Sequence, residues 1–586
     1  MRSVALDFET EAIEGHRPPR PVGLAVAHSL KSGSYYGWGH PGSNNSTRAD
    51  AKRRLRAVGD GSHDLWFFNA GFDVPVARHL GVALPWERVR DAQILAFLGN
   101  PMARSRSLKG LCESELGVAP AERDALYAYI KAHVPEARRL GHKALGAYIS
   151  QAPCSQVAPY ASVDVLDVLR LREHWRSYAR GPAWEREHAM LPILARMRQV
   201  GIPLDRRGLV RDAARYEGWL VRCEDWLQKR LGIRELKPSL VVEACESLGI
   251  ADAWYDTPTG GDSLAKEHLV KLVAEGHFHD PAFVQVWAYR AYLAWTLRTF
   301  ARPWLATGLD AVHPTWNGVL GDEGGAVTGR LSSRPNVQNL PKRIPQFDVP
   351  ADLGVGPLPN MRAYFKAPAG YTFVGIDISQ QELRVLGHFV PSIGDWYRSD
   401  PRFDLHTRVR ELIASVAHID MPRDQVKIVS FCRIYGGGAN AISEQAGITM
   451  ERASEFRDAH RDALPGIQRW DDDVLHKSDT YATVGGRTYK SAPGKAYRDK
   501  NYAIQGSSAD QLKTILVELE PAARSMHGWV PLTAHDEILT CVPTERASEM
   551  RSTLTELVES TGVGKRNAMF DVPMLGETYQ GKRWVK

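Results

Sequence analysis

Hydrophobic and polar residues alternate near the start of the chain, which predicts β-strands there. The alternation covers residues 4–9 and 22–26, with the two-residue period of a strand. From about Ala49 the pattern changes to the helical period, and strands and helices then mix up to about residue 180. This mixture predicts a compact α/β unit. Its boundary is expected at Gly181-Pro182, because both residue types interrupt regular structure.

The remainder of the chain has a different pattern. Residues 183–305 are largely helical and amphipathic, and apolar strands return at 371–376 and 531–542, on either side of a helical block at 404–478. Segment 341–360 is rich in Pro, Gly and Asp, which favours a mobile connection. A chain of 586 residues exceeds what one hydrophobic core supports, so two or more domains are predicted.

Composition narrows the class of protein. No run of about 18 apolar residues occurs and no secretory signal is evident at the start, so we expect a cytoplasmic protein without a membrane span. The six cysteines form no CxxC pair, which argues against a disulfide framework or a zinc module. A formal net charge of +6 favours a polyanionic partner only mildly.

Carboxylates recur at informative spacings in the N-terminal third. Asp7 and Glu9 are two residues apart in a strand pattern, so they share one face of the sheet. Asp73 follows an apolar run, and Tyr160 and Asp164 are one helical turn apart. Two exposed acids on an edge strand would be the ordinary interpretation of the first pair. Four converging carboxylates, however, would repel each other unless divalent cations neutralised them, as in a two-metal phosphodiesterase site.

The order and spacing of these residues resemble the three motifs of the DEDDy 3′→5′ proofreading exonucleases. The resemblance implies a ribonuclease H-like exonuclease domain over residues 1–182. It assigns two Mg²⁺ ions, for which Mn²⁺ can substitute, to Asp7, Glu9, Asp73 and Asp164. Tyr160 would orient the attacking water. An active nuclease is expected because every motif position is present; a decayed nuclease kept as a structural platform is the alternative.

Two further acids lie at the ends of predicted strands in the second half. Asp377 ends an apolar run that begins at Phe373, and Asp536 lies at a tight turn between two apolar runs. Buried strands hold such carboxylates rigidly, as a metal site requires. Either segment alone would be weak evidence, since strands commonly end in Asp.

Between these acids, four side chains recur at four-residue steps on a predicted helix: Arg423, Lys427, Phe431 and Tyr435. Four-residue steps drift by only about 40° around a helix, so the four form one slanting stripe. Two cations followed by two aromatic rings suit a surface that neutralises a triphosphate and stacks on a nucleotide. The alternative is a solvated basic turn followed by core aromatics.

Together these segments resemble motifs A, B and C of family A DNA polymerases, the bacterial DNA polymerase I type. Further matches at 328–333, 335–341 and 501–510 extend the resemblance over about residues 185–586. The implied fold class is a multidomain α/β and α+β protein, with a right-hand polymerase domain at 183–586. Its parts are the thumb at about 183–330, the palm at about 331–390 and 495–586, and the fingers at about 391–494.

The resemblance also assigns roles. Two Mg²⁺ ions would lie on Asp377, Asp536 and the backbone carbonyl of Ile378, with Lys427 among the catalytic residues. The residues expected at the incoming nucleotide are His406, Arg423, Lys427, Phe431, Tyr435, Glu382 and Gln381, of which Glu382 would exclude a ribose 2′-hydroxyl. The residues expected at DNA are Arg330, Asn336, Asn339, Asn501, Gln505 and His535.

Motif A departs from the usual family pattern at two positions. The family usually has Tyr after the motif A aspartate and an aliphatic residue before the glutamate, whereas this chain has Ile378 and Gln381. Gln381 would lie beside the nucleotide pocket and bear on base selection. Arg498 is one position away from the family's usual arginine, so it is assigned no primer contact.

The resemblance implies template-directed DNA synthesis with proofreading, by a monomer that binds primer-template DNA, dNTPs and replisome proteins. We expect no thumb insertion for a processivity partner and no 5′-nuclease domain. A bacteriophage replicase in the host cytoplasm is therefore favoured over a bacterial repair enzyme. Two alternatives are a stand-alone 3′→5′ exonuclease with a degenerate DNA-binding C-terminal half, and a non-catalytic DNA-binding scaffold.

Overall fold

A computed structural model describes residues 3–103, 105–257, 259–321, 324–475, 477–491 and 496–585. The described residues form two compact units. The first unit takes its residues from 1–200, 313–338 and 374–580, and the second from 201–312, 339–373 and 581–586. All six cysteines are buried and unbridged. Among the described residues, no helix has the length and apolar character needed to cross a membrane.

The predicted N-terminal strands form one mixed sheet in the first unit, in the order β3-β2-β1-β4-β5. β1 pairs antiparallel with β2 and parallel with β4, while β2–β3 is antiparallel and β4–β5 parallel. The strands are β1 (Ser3–Thr10), β2 (Pro21–Ser29), β3 (Ser32–Gly37), β4 (Asp64–Phe67) and β5 (Val89–Asp91).

Helices cover both faces of this sheet, and the strand period decides what each face carries. Val4, Leu6 and Phe8 belong to one buried cluster, while Ala5 belongs to a second cluster that includes Val165. The acids at odd positions of β1 therefore share the second face. The helices of this region are α1 (Arg48–Asp60), α2 (Ala70–His79), α3 (Ala92–Gly99), α4 (Leu108–Leu116), α5 (Ala121–His133), α6 (His142–Leu145), α7 (Cys154–His174) and α8 (Pro182–Val200).

The second unit is mainly helical. Its helices are α9 (Arg206–Leu231), α10 (Pro238–Ser247), α11 (Lys266–Glu275), α12 (Pro281–Thr296) and α13 (Arg302–Ala306), and its short strands are β6 (Ile202–Pro203) and β7 (Ala311–Val312). Phe365 lies at the centre of an aromatic core, with its ring centroid 5.0 Å from that of Trp304 and 5.9 Å from that of Trp584.

Segment 341–360, which the sequence predicts as a mobile connection, is attached to helices of the second unit. The Tyr289 hydroxyl donates to Gly356 O at 2.9 Å, and Arg222 donates to Gly354 O at 2.5 Å. The Phe347 ring lies edge-on to Tyr289 and within 4.7 Å of the Lys266 ammonium. These contacts attach parts of the Pro- and Gly-rich segment to α9, α11 and α12, and its mobility stays a prediction.

The rest of the first unit holds a second sheet in the order β13-β14-β10-β15. Its strands, with the shorter ones around them, are β8 (Thr315–Asn317), β9 (Ser332–Arg334), β10 (Tyr371–Ile378), β11 (Thr480–Ala482), β12 (Thr488–Lys490), β13 (Trp529–Ala534), β14 (Glu537–Pro543) and β15 (Gly576–Gly581). The helices are α14 (Gln381–Phe389), α15 (Pro391–Ser399), α16 (Leu405–Ala417), α17 (Arg423–Ile434), α18 (Ala439–Ala446), α19 (Met450–Ala463), α20 (Pro465–Trp470), α21 (Asp499–Ser525) and α22 (Ala547–Ser560).

A buried ion pair connects α8 with α21 inside the first unit. The Lys513 ammonium lies 2.7 Å from both carboxylate oxygens of Glu187 and donates to Gly318 O at 2.6 Å. Burial lowers the pKa of Lys513 to about 8, against the opposing effect of Glu187. Removing either charge alone would leave the other buried without its partner, at a cost of about 3–5 kcal/mol.

Candidate active sites

The first candidate site is the N-terminal carboxylate cluster, and the structure brings its predicted acids together. Side-chain oxygens of Asp7, Glu9 and Asp164 all lie within 4.8 Å of one another. β1 supplies the first two from one face, and α7 supplies Asp164 from the helix that packs on that face. Carboxylate oxygens are the ligands that Mg²⁺ prefers, so the donor set fits a divalent cation.

The pKa values of the acids in this cluster are raised, as expected when carboxylates repel one another. Burial and the nearby Asp164 carboxylate raise the pKa of Asp7 to about 7. Burial, followed by the charge of Asp7, raises the pKa of Glu9 well above its ordinary value. Both groups therefore favour the proton-bound form unless another cation lies beside them.

Asp73 joins the cluster from the start of α2. Its Oδ1 accepts a hydrogen bond from Phe8 N at 3.2 Å, beside the two acids of β1. The turn before α2 has a left-handed residue, Asn69, at φ 66°. The buried carboxylate of Asp91 holds this turn by accepting from Asn69 N at 3.0 Å and Ala70 N at 2.8 Å. The sequence interpretation missed Asp91, whose only signal is its place at the end of a strand.

Tyr160 lies one turn before Asp164 on α7, as predicted. Burial, followed by the charge of Asp164, raises the pKa of Tyr160 well above its ordinary value. A cation that the sequence interpretation missed lies beside them. The Lys109 ammonium is 2.5 Å from Asp164 Oδ1, 2.9 Å from Asp167 Oδ2 and 5.4 Å from the Tyr160 ring centroid. Burial lowers the pKa of Lys109, but the two carboxylates more than offset this and hold it above its ordinary value.

The second candidate site is formed by the strand ends of the second sheet. β13 and β14 form a hairpin that pairs Ala534 with Glu537, so His535 and Asp536 make a two-residue turn, with His535 at φ 60°. Ile378 N donates to Asp536 O at 3.0 Å. This bond places Asp536 directly alongside the end of β10, where Asp377 lies. Both acids are half-buried, whereas Ile378 is fully buried.

Glu382 lies close to this pair of acids and is neutralised by a cation that the sequence also predicts. Its carboxylate pairs with the guanidinium of Arg330. Burial raises the pKa of Glu382, Arg330 opposes that effect, and the charge of Asp536 adds to it. The structure therefore brings one residue expected at the nucleotide together with one expected at DNA.

Gln381 makes its contacts inside the protein. It is 5% exposed, and its Nε2 donates to Ser508 O at 3.1 Å and to Gln511 Oε1 at 2.9 Å, both on α21. Gln511 in turn donates to Thr561 Oγ1 at 2.8 Å. These contacts favour a supporting role for Gln381 at the start of α14, and a direct contact with the nucleotide stays a prediction.

The predicted stripe lies on the solvent side of α17. Arg423 and Lys427 are exposed, and Phe431 and Tyr435 are half-exposed with stacked rings whose centroids are 5.8 Å apart. The buried residues of this helix lie on its other side: Val426, Val429, Ser430, Cys432 and Ile434. The alternative interpretation, in which both aromatics are core residues, is therefore not favoured.

His406 lies beside this stripe at the start of α16. It is 4% exposed, its ring centroid is 5.7 Å from that of Phe431, and its Nδ1 has no hydrogen-bond partner in the described part of the chain. Burial lowers the pKa of His406 to about 4, although Asp404 opposes this. Asp404 also binds Arg423 at 2.7 Å, so this arginine is already oriented by the protein.

Two of the residues expected at DNA lie on α21. Asn501 and Gln505 are half-buried, one turn apart. Gly506 lets the β11–β12 hairpin approach, because a Cβ there would lie 2.5 Å from a Thr483 methyl group. Asn336, Asn339 and His535 are exposed.

Arg330 is positioned by a buried network that the sequence interpretation missed. Arg487 is 1% exposed, pairs with Asp510 and donates to Thr328 O at 3.0 Å. Gly329 is required beside it, because its φ is +72° and an added Cβ would meet the Arg487 guanidinium. Asp510 also binds Arg186 at 2.8 Å. The motif around Asp510 is therefore a structural anchor for the Arg330 loop.

Comparisons with known proteins agree with this geometry. The model of the family described as DNA polymerase family A matches residues 240–586. A thermostable DNA polymerase I of Thermus filiformis is 30% identical over 280 residues, which are 44% of this chain and 31% of that protein. The chain thus spans about a third of the length of such relatives. A DNA polymerase of Mycobacterium phage D29 is 25% identical over 520 residues, which are 82% of this chain and 78% of that protein.

The fold has a counterpart among solved structures. The POL domain of Pol1 from M. smegmatis, solved in complex with DNA primer-template and dNTP, superposes with a TM-score of 0.74 at 20% identity, covering 99% of this chain and 95% of that one. At 20% sequence identity, this structural similarity establishes the fold alone. Because the family model matches more than half of the residues, the chain belongs to DNA polymerase family A.

Proposed function

We propose that this chain carries out template-directed DNA synthesis from dNTPs on a primed template, with 3′→5′ proofreading by its N-terminal region. The observation that carries the proposal is the backbone hydrogen bond from Ile378 to Asp536. It places Asp536 beside the strand end that carries Asp377, in the same unit as the cationic and aromatic face of α17. This combination suits nucleotidyl transfer, because positioning and electrostatics supply most of the rate in phosphoryl chemistry.

Different residues of the polymerase site would bind different parts of the substrates. Arg423, Lys427 and His406 would bind the triphosphate, and neutral His406 could donate one hydrogen bond to it. Phe431 would lie against the sugar and base, with Tyr435 stacking at the template position. Arg330, Asn336, Asn339, Asn501, Gln505 and His535 would contact primer-template DNA.

Divalent cations fit both sites by their donor sets. Asp377, Asp536 and the Ile378 carbonyl would hold them in the polymerase site, and Asp7, Glu9, Asp73 and Asp164 in the nuclease site. When bound, Mg²⁺ lowers the pKa of an attacking hydroxyl or water and stabilises charge on the leaving oxygen. Tyr160, one helical turn before Asp164 on α7, would orient the water through its hydroxyl.

We assign the nuclease to residues 1–182, whose strand order and mixed pairing suit a ribonuclease H-like sheet. The thumb, palm and fingers are assigned to residues 183–586. The likeness to a phage polymerase supports a phage origin. We further propose that the protein acts as a replicase in the host cytoplasm, as a monomer, with replisome proteins as further partners.

Extension of an end-labelled primer on a defined template, with Mg²⁺ and with or without dNTPs, tests the proposal. Longer products are expected with dNTPs and shortened primer without them. Shortened primer under both conditions would instead support a stand-alone exonuclease. Loss of both activities at every metal concentration would support a non-catalytic scaffold.

A further inference from the structure

A buried lysine lies inside the N-terminal carboxylate cluster, and the proposed function has not yet assigned it a role. Lys109 is 6% exposed and extends from α4 to two acids of α7. Lysine is almost never fully buried unless it is paired. The two acids differ: Asp164 belongs to the metal-binding set, whereas Asp167 does not.

Asp167 anchors the ammonium of Lys109. Asp167 is 1% exposed, and its two oxygens are held separately: Oδ2 accepts from Lys109 at 2.9 Å and Oδ1 from Arg170 at 2.6 Å. Held from both sides, this carboxylate cannot rotate without losing a charge-assisted hydrogen bond. The position of Lys109 is therefore set by a residue outside the metal-binding group.

Lys109 in turn restrains Asp164. Its ammonium lies 2.5 Å from Asp164 Oδ1, while side-chain oxygens of Asp7 and Glu9 lie within 4.8 Å of Asp164. Without the ammonium, repulsion from these two acids would favour rotation of the Asp164 carboxylate away from them. The Lys109 ammonium thus opposes the electrostatic repulsion that would separate Asp164 from Asp7 and Glu9.

We propose that Lys109, anchored by Asp167, is a positioning residue of the nuclease that keeps the Asp164 carboxylate facing Asp7 and Glu9. The inference rests on the proposed nuclease function. It has two separable consequences. Loss of the lysine should lower turnover, because the ligand is no longer held in its productive orientation. It should not weaken metal binding through charge, because removing a cation makes the cluster more attractive to another one.

The test uses the full chain with Asp377→Asn and Asp536→Asn as the parent, so that the N-terminal cluster dominates both metal binding and DNA degradation. Lys109→Met and Asp167→Asn are compared with Lys143→Met, which removes an exposed lysine of α6. Mn²⁺ binding is titrated without DNA, and degradation of a labelled single strand is measured at saturating Mn²⁺. Thermal unfolding is recorded for every variant.

We expect Lys109→Met to lose about tenfold to a hundredfold in turnover at saturating metal, as for other groups that orient metal ligands, and to bind Mn²⁺ at least as tightly as the parent. Asp167→Asn should act in the same direction. The double variant should be no slower than Lys109→Met, since both changes act through one ammonium. Lys143→Met should behave like the parent.

Turnover of Lys109→Met within twofold of the parent would overturn the role of Lys109. So would weaker Mn²⁺ binding with turnover restored by excess metal, which would make the lysine a structural brace for the cluster. If Lys109→Met fails to fold, Asp167→Asn decides in the same way. A parent that binds Mn²⁺ but degrades no strand would overturn the proposed nuclease and this role together, whereas a parent and Lys109→Met that degrade DNA equally would overturn only the role.

Discussion

The two carboxylate sites of the first unit differ in the source of their positive charge. In the N-terminal cluster Glu9, Asp73 and Asp164 are buried and Asp7 is half-buried, and a buried cation, Lys109, lies in direct contact with Asp164. Asp377 and Asp536, which we propose for the polymerase site, are half-buried, and Arg423 and Lys427 of α17 lie exposed on a separate helix. Buried carboxylates are neutralised by a nearby cation or by a bound proton, whereas exposed cations are accessible to a charged substrate.

The same contrast appears in how the two regions respond to protons. Burial and mutual repulsion raise the pKa values of Asp7, Glu9 and Asp73. Burial instead lowers the pKa of His406 to about 4 and that of His460 to about 3. Acidic solution therefore relieves repulsion in the N-terminal cluster but disfavours the folded helices around α17.

The largest effects are expected when each of the two carboxylate sites is disabled separately, which tests whether the sites act independently. Asp377→Asn or Asp536→Asn should lower primer extension by a thousandfold or more, since a lost metal ligand costs about 4 kcal/mol or more of barrier, and should leave primer degradation intact. Asp7→Ala with Glu9→Ala should do the opposite. Gel assays with and without dNTPs measure both activities. If a folded variant lost both, the assignment of two independent sites would be wrong.

The proposal that one side of α17 faces the nucleotide is tested at Phe431. A phenolic hydroxyl in place of the bare ring can replace a hydrogen bond that a dideoxynucleotide lacks, so Phe431→Tyr should reduce discrimination against ddNTPs by about tenfold to a hundredfold. Use of dNTPs should be nearly unchanged, because the ring is half-exposed and has room for the hydroxyl. Competitive incorporation of ddNTP and dNTP measures the ratio. An unaltered ratio would place the nucleotide elsewhere.

Sugar selection should respond to Glu382 more modestly. Glu382→Ala removes the side chain expected to exclude a 2′-hydroxyl and also releases Arg330, so ribonucleotide use should rise about tenfold. Glu382→Gln keeps the shape without the charge and serves as the matched control. Single-nucleotide incorporation of rNTP against dNTP measures both variants. A selectivity that is the same in all three proteins would exclude this side chain from the pocket.

The smallest predicted effect concerns acid stability near α17. His460 is buried against Ser430, with its pKa lowered to about 3, whereas an unfolded histidine titrates near pH 6.5. The unfolded chain therefore takes up the proton first, and stability is lost as pH falls below about 6.5. Between pH 7.5 and pH 6 His460 should cost about 0.8 kcal/mol.

His460→Gln keeps a donor for Ser430 without the titration, so its unfolding free energy should fall less over this pH interval. Denaturant unfolding followed by fluorescence at both pH values measures the difference. A variant with the same loss as the natural chain would show that the acid sensitivity arises elsewhere.

Local periodicity was enough to predict most of the elements that carry chemistry. The strand of Asp7 and Glu9, the helical turn from Tyr160 to Asp164 and the shared face of the α17 stripe all follow from residue spacing. Family membership also followed from ordered motifs and was confirmed by the family match. Spacing succeeds here because a strand or helix fixes which neighbouring side chains share a face.

Contacts between distant segments could not be obtained in this way. Lys109 reaches Asp167 across 58 positions, and Arg487 reaches Thr328 across 159. Gln381, itself expected at the nucleotide, donates its side-chain hydrogen bonds to α21 in the interior. Sequence periodicity determined which residues face the same way along one element; only the tertiary structure decided which buried charges meet, because that depends on how separate elements pack to satisfy groups removed from water.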